Sequence, residues 1–286
     1  MNFCHITPTK YLDIFATGRR CHLLLAHLVN EDEEYLRWYV QQKKQYNCNI
    51  ILDNSAFEMF KRGEPMYDSN KLLDAANKCN ADYVVMTDYP NEDYHKTIEK
   101  AKETADTLLK HNFKPFFCPQ SVEEDLEGLI TSFFWAKNDP RIEMIGFSIL
   151  AIPNAYGVLK DPLQRFLSRW RFICELNKRG FFQDNTKKLH LLGMLDGPNE
   201  IGILKNFLSE FSSWDSSAAV WAGINGFIFD QSPTGMITGK YENEVYFDHD
   251  TARVDQISNA MVNVKYIDGM VDEVPVSYTH LTLPTT

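Results

Sequence analysis

The sequence predicts a single-domain α/β protein of the TIM (β/α)8 barrel class, with small appended segments at both ends. Three observations support this. Short apolar runs alternate with longer amphipathic stretches along the chain. The runs are almost continuously apolar, as parallel strands covered on both faces are. No GxGxxG or GxxxxGKS/T pattern follows any of them, which removes the usual nucleotide-binding open sheets.

The expected strands are 22–27, 50–53, 83–88 ("YVVMTD"), 115–120 ("PFFCPQ"), 144–150 ("MIGFSIL"), 189–194 ("LHLLGM") and 213–218 ("SWDSSA"). Helical patterns fill 31–46, 69–79, 92–111, 122–136, 161–179 and 199–210. Asp68 or Ser69 is placed to cap one helix, and Ser121 with Glu124 resembles a capping box for the next. Pro198 after Gly197 suits a first helical turn. Seven strand–helix units in a row favour a closed barrel over a doubly wound sheet. "GFIFD" at 226–230 is the candidate eighth strand, and 251–262 reads as a closing helix. The expected limits are an appended segment at 1–20, the barrel at 21–272, and a disordered or artefactual tail at 273–286. Residues 231–250 read as further appended strands or loops.

Composition narrows the function classes. The 286 residues carry a net charge of -10, which argues against a broad nucleic-acid-binding surface while leaving room for a local basic groove. The short basic clusters, among them Lys43–Lys44 and Arg165/Arg169/Arg171, read as solvated helix ends. The cysteines at 4, 21, 48, 79, 118 and 174 form no CxxC or Cys/His cluster, so buried thiols are expected and no metal or other cofactor. The longest apolar run, "CHLLLAHLV" at 21–29, is far short of a membrane helix, and "MNFCHITPTK" lacks the layout of a signal peptide. A cytoplasmic protein with no membrane partner is expected.

In such a barrel the C-terminal strand ends share one mouth, where active sites are built. Read in order, those ends are Asp53, Asp88, Gln120, Ser148 and Asp215. Each has an ordinary alternative as a cap or loop residue. Asp215 is the hardest to dismiss, because "SSWDSSAA" leaves it flanked by small residues. Several carboxylates without metal ligands suit glycosidic chemistry, in which one attacks the anomeric carbon and another handles protons at the leaving group. The remaining Asp and Gln suit the edge of a base: guanine offers N–H donors to a carboxylate and a carbonyl to an amide.

The motifs "ILDNSAFE", "VVMTD", "FCPQS", "IGFSIL", "LHLLGM" and "SSWDSSAA" stand in the order seen in tRNA-guanine transglycosylases. The chain resembles that superfamily over about residues 21–225, and is most similar to its compact, often phage-encoded members that place 7-deazaguanines in DNA. The resemblance implies a pentosyltransferase that exchanges guanine in DNA for a 7-deazaguanine of the preQ0 type. It makes Asp215 the nucleophile and Asp53 the general acid/base. Asp88 and Gln120 would bind the base edge, the backbone around Gly146, Phe147 and Ser148 its exocyclic substituent, and Phe57 and Leu192 its two faces. DNA and the free base are the implied partners, with a homodimer or a partner subunit left open, in the cytoplasm of the host if the gene is a phage's. The same exchange on tRNA, a free-nucleoside enzyme, and an inactive binding subunit on the same barrel are the alternatives. The chain departs from the tRNA enzymes in having no cysteine/histidine zinc motif, and in placing Phe147 and Ser148 where they have glycines.

Overall fold

The computed structural model describes residues 1–229 and 245–272. Its centre is an eight-stranded parallel sheet: β1 (Asn2–His5), β2 (Cys21–Leu25), β3 (Asn49–Asp53), β4 (Tyr83–Val85), β5 (Lys114–Phe117), β6 (Met144–Ser148), β7 (Lys188–Leu192) and β8 (Ser213–Ser216). The strand order is β1-β8-β7-β6-β5-β4-β3-β2. β1 and β2 lie beside each other without ladder hydrogen bonds, so the ring closes except at this one seam. The fold is a single-domain (β/α)8 barrel.

Seven strands fall where apolar runs predict them, though all but β3 are shorter, β4 most of all. The eighth strand is not where 226–230 placed it. Residues 227–229 form no strand, and Asp230 lies outside the described residues, as do 231–244 and the tail expected at 273–286. The missing strand is instead Asn2–His5, paired to β8 from Asn2↔Ser213 to His5↔Ser216. Residues 2–5, expected within an appended segment, are therefore a barrel strand.

Helices wrap the ring. Ser69–Cys79 buries Leu72, Ala75, Ala76 and Cys79, the i, i+3, i+4, i+7 stripe of a helix packed on a sheet. Asp68 caps it by accepting the Lys71 N–H at 2.9 Å. The capping box expected at Ser121 and Glu124 does not form. That helix begins later, at Leu126, and its cap is Asp125, which accepts the Gly128 N–H. Pro198 does open its helix, after Gly197 with φ 59°. The closing helix is longer than expected, at Val254–Asp272.

Strand side chains alternate between the barrel interior and the helix layer. Phe147 points outward, with its ring 4.6 Å from that of Phe133 and 5.0 Å from that of Phe211. Phe116 and His190 point inward, with ring centres 5.5 Å apart. All six cysteines are free thiols, five of them buried. Arg169 corrects the reading of its basic cluster as a solvated helix end. It is fully buried on Pro162–Lys178, where it pairs with the equally buried Glu200.

Candidate active site

The strand ends and the turns after them surround a cavity of about 370 Å³, within the size range of small-molecule sites. Asp53 is the last residue of β3, Ser148 of β6 and Leu192 of β7, and Asp215 sits near the end of β8. All four line the cavity, as do Asp88, Gln120 and Phe57. Residues from 53 to 215 are thus brought to one mouth.

Asp88 is buried and held from two sides. Asn54 Nδ2 donates to Asp88 Oδ1 at 2.6 Å and to the Met86 carbonyl at 2.7 Å. Gln120 Nε2 donates to Asp88 Oδ2. With its nitrogen committed to Asp88, the Gln120 amide keeps its oxygen as an acceptor for a ligand donor. Burial pushes the Asp88 carboxyl up to about 6, and the bonds from Asn54 and Gln120 oppose that rise.

Asp53 accepts the Ser55 N–H on Oδ2 at 2.9 Å. Ser55 holds this geometry with φ 58°, an uncommon conformation for a residue with a Cβ. It is kept there by His27, whose N–H reaches Ser55 Oγ at 3.2 Å and whose Nδ1 lies 2.9 Å from the same oxygen. Enclosure, and then the nearby Glu58, push Asp53 well above the ordinary carboxylate range. This favours the protonated form that a general acid needs at neutral pH.

Asp215 has a different environment. Its Oδ1 lies 2.9 Å from His190 Nε2 and accepts the Gly193 N–H at 3.1 Å. His190 Nδ1 lies 2.7 Å from Ser213 Oγ. The Gly193 turn is itself fixed from behind. Arg169 donates to the carbonyls of Phe147, Leu192 and Gly193, and Trp214 Nε1 donates to the Gly193 carbonyl.

Phe57 stands at the rim, 49% exposed, and Leu192 lies on the opposite wall as a half-buried side chain. Ser148 turns its Oγ back to accept the N–H groups of Leu150 and Ala151, so its hydroxyl oxygen is partly used as a local cap. Gly146 and Phe147, expected at the base, do not line the cavity. A Cβ on Gly146 would stand 2.6 Å from Leu192 Cδ1, so the glycine makes room for Leu192 beneath the site. The Phe147 side chain belongs to the helix layer, and its carbonyl is taken by Arg169.

Asn54, Glu58, Gly193 and His190 were not anticipated from sequence. Asn54, Glu58 and Gly193 line the cavity, and His190 stands behind Asp215. Asn54 and Glu58 flank Asp53 and Phe57 in the same motif, and His190 interrupts the apolar alternation of "LHLLGM"; these were the available signals. Among the described residues, no group of three or more His, Cys, Asp or Glu is placed to hold a metal ion. No helix among them is long and apolar enough to cross a membrane.

Fold and cavity together define a (β/α)8 barrel with an acidic pocket at the C-terminal ends of its strands. No family model and no curated protein matches the sequence. Among solved structures, a Coccidioides immitis protein described as a fructose-1,6-bisphosphate aldolase is similar, with 11% identity and a TM-score of 0.48 over 95% of this chain and 90% of that one. The N-(5'-phosphoribosyl)anthranilate isomerase of Pyrococcus furiosus is similar at 10% identity and a TM-score of 0.43, over 92% of this chain and 97% of that one. Active domain 2 of a chitinase from Pyrococcus furiosus follows at 13% and 0.42, over 94% and 95%. At such distances the likenesses say nothing about chemistry.

Proposed function

We propose that this chain is a guanine/7-deazaguanine transglycosylase, a pentosyltransferase that exchanges guanine in DNA for a preQ0-like base. The observation that carries this reading is the convergence of Asp215, Asp53, Asp88 and Gln120 on one cavity from four separate parts of the chain. The choice of DNA over tRNA rests on the sequence resemblance to the compact members of the superfamily.

The target guanine leaves the stack and enters the cavity, a step that costs a few kcal/mol and is offset by contacts there. Asp88 accepts from the base N–H groups, and the Gln120 amide lies beside it at the base edge. The Asp215 carboxylate attacks C1′. A C1′–O bond forms, the C1′–N9 bond breaks, and its electron pair leaves with the base, which takes a proton from Asp53. Guanine departs, and a 7-deazaguanine takes its place. Asp53, now a carboxylate, removes the N9 proton of the incoming base while N9 attacks C1′ and the Asp215 ester oxygen leaves. Two displacements retain the configuration at the sugar.

The test is trapping. Protein is incubated with guanine-containing DNA, tRNA or deoxyguanosine, each with preQ0. Intact mass reports a covalent adduct, and nucleoside composition reports exchange. An adduct on DNA that vanishes in Asp215→Ala is expected. Exchange confined to tRNA would move the substrate, and no adduct on any of the three would overturn the reading in favour of a binding subunit.

A further inference from the structure

One buried side chain in contact with the nucleophile has no role in the scheme above. His190 is fully buried inside the barrel, behind Asp215 as seen from the cavity. An imidazole at this depth needs partners for its nitrogens, and it has one on each. Nε2 faces Asp215 Oδ1 at 2.9 Å and Nδ1 faces Ser213 Oγ at 2.7 Å. Ser213 and Asp215 alternate on β8, so both face inward and bracket the ring.

The chemistry of the partners assigns the protons. An ionised carboxylate only accepts, so the hydrogen between His190 and Asp215 belongs to Nε2. A neutral imidazole then has a bare Nδ1, to which the Ser213 hydroxyl donates. For a neutral ring beside an ionised carboxylate, the chain of donation runs from Ser213 to His190 to Asp215. The Gly193 N–H reaches the same carboxylate oxygen at 3.1 Å. Two donors therefore converge on Oδ1.

Resting on the transglycosylase reading, we infer that His190 is a positioning residue for the nucleophile: with Ser213 fixing its tautomer, it anchors Asp215 through Oδ1 and leaves Oδ2 as the oxygen that attacks C1′. The same hydrogen bond serves the second half of the reaction, because a donor on the carboxylate stabilises the charge that returns to Asp215 when the C1′–Oδ2 bond breaks.

Two measurements test this, and the first does not depend on activity. In protein carrying ¹⁵N-labelled histidine, the His190 signals are assigned by their loss in His190→Gln. At pH 7 the protein is expected to show a protonated Nε2 and a bare Nδ1, and Asp215→Ala is expected to relax that preference. A ring protonated on Nδ1 with a bare Nε2 would overturn the inference, since Nε2 would then have nothing to give. The second measurement is the rate of adduct formation in a single turnover. His190→Phe keeps a ring but loses the donor. It is expected to slow the adduct step about 100-fold with KM for the entering base within about threefold. His190→Gln, which restores an N–H, should recover about tenfold of that loss. Adduct formation in His190→Phe within threefold of wild type would also overturn the inference. Should His190→Phe misfold, Ser213→Ala leaves the ring in place and is expected to slow the adduct step about fivefold; an unchanged rate there would count against the relay. Wild-type protein that forms no adduct on any nucleic acid would sink the transglycosylase reading, and the NMR result would then decide the Ser213–His190–Asp215 arrangement by itself.

Discussion

Asn54 donates to Asp88 Oδ1 at 2.6 Å while its own Oδ1 accepts the Ala56 N–H at 2.9 Å. One amide therefore joins the turn after β3 to the Asp88 carboxylate after β4, one residue from Asp53. Removing it frees Asp88 to rotate and leaves it buried with one donor fewer. Asn54→Ala is expected to raise KM for the entering base about tenfold, the cost of one hydrogen bond to a charged group. Its effect on the rate of the covalent step should be smaller. Steady-state kinetics with preQ0 as the varied substrate checks this, and an unchanged KM would remove Asn54 from the site.

On the transglycosylase reading, the elevated Asp88 carboxyl gives base binding a pH dependence. With Asp88 raised to about 6, the ionised acceptor form predominates above that value and is lost below it. Affinity for the base is expected to hold between pH 7 and 8 and to fall by about tenfold per pH unit below 6. Asp88→Asn should bind weakly with a flat profile. Fluorescence or calorimetric titration of preQ0 across this range tests it, and a flat wild-type profile would contradict the assignment.

Burial and the nearby Glu58 make the charged form of Asp53 costly in the folded state. Its folded value lies above the ordinary one near 3.9, so the unfolded chain releases that proton at lower pH than the folded chain does. The folded state is favoured by this group in acid and loses that advantage as pH rises. At pH 7 the neutral isostere Asp53→Asn should therefore stabilise the protein by about 1–2 kcal/mol, in the range of other function-for-stability exchanges. The gain should shrink toward pH 4, and exchange should be lost. Urea unfolding at pH 7 and pH 4.5, with exchange assays alongside, measures both. A variant less stable than wild type at pH 7 would show that Asp53 is not strained.

The barrel was legible because its strands are buried on both faces and so read as apolar runs, and the mouth was legible because carboxylates stand at or near their C-terminal ends, Asp53 and Asp215 among them. What was not legible has physical reasons. Asn2–His5 is only four residues long, and its partner, Ser213–Ser216, lies at the other end of the barrel sequence, so no local pattern reports the pairing. "GFIFD" has strand composition but no free place on the ring. Gly146 and Phe147 lie next to a cavity residue in sequence, yet alternation turns Phe147 outward and packing fills the space at Gly146. Arg169 could have been read. It shares a helix face with Phe166, Phe172 and Ile173, all buried, and a charge on such a stripe requires a buried partner.

That partner, Glu200, makes two charge-assisted bonds to Arg169, both at 2.7 Å, and also accepts the Leu195 N–H at 2.6 Å. Through Arg169 the pair holds the ends of β6 and β7. Breaking a buried pair from one side leaves an uncompensated charge, so Glu200→Gln or Arg169→Met should cost about 3–5 kcal/mol. Arg169→Met with Glu200→Leu removes both charges and should recover much of that loss. The double variant should still be impaired in exchange, because the Gly193 turn that donates to Asp215 loses its support from Arg169. Chemical denaturation of the two single variants and the double variant, with activity, separates these effects; additive losses would refute the coupling.

The seam between β1 and β2 carries the last prediction. Asp268, near the end of the closing helix, bonds His5 Nε2 at 2.9 Å on β1 and takes a bidentate pair from Arg19, two residues before β2, at 2.9 Å each. The helix thus bridges the two strands that share no ladder. These hydrogen bonds hold the Asp268 carboxyl well below its ordinary range despite partial burial. A depressed carboxylate stabilises the fold fully above the unfolded value near 3.9, and that contribution fades as pH falls below it. His5 acts in the same direction. Burial lowers it to about 4, so the unfolded chain binds its proton first as pH drops through 6.5. Asp268→Asn should cost about 1–2 kcal/mol at pH 7, within the range of hydrogen bonds to charged groups. Against wild type, that difference should shrink below pH 4. Thermal unfolding of the pair between pH 3 and pH 8 is the check. A difference that stays constant across that range would mean that the seam is held by packing of the helix alone.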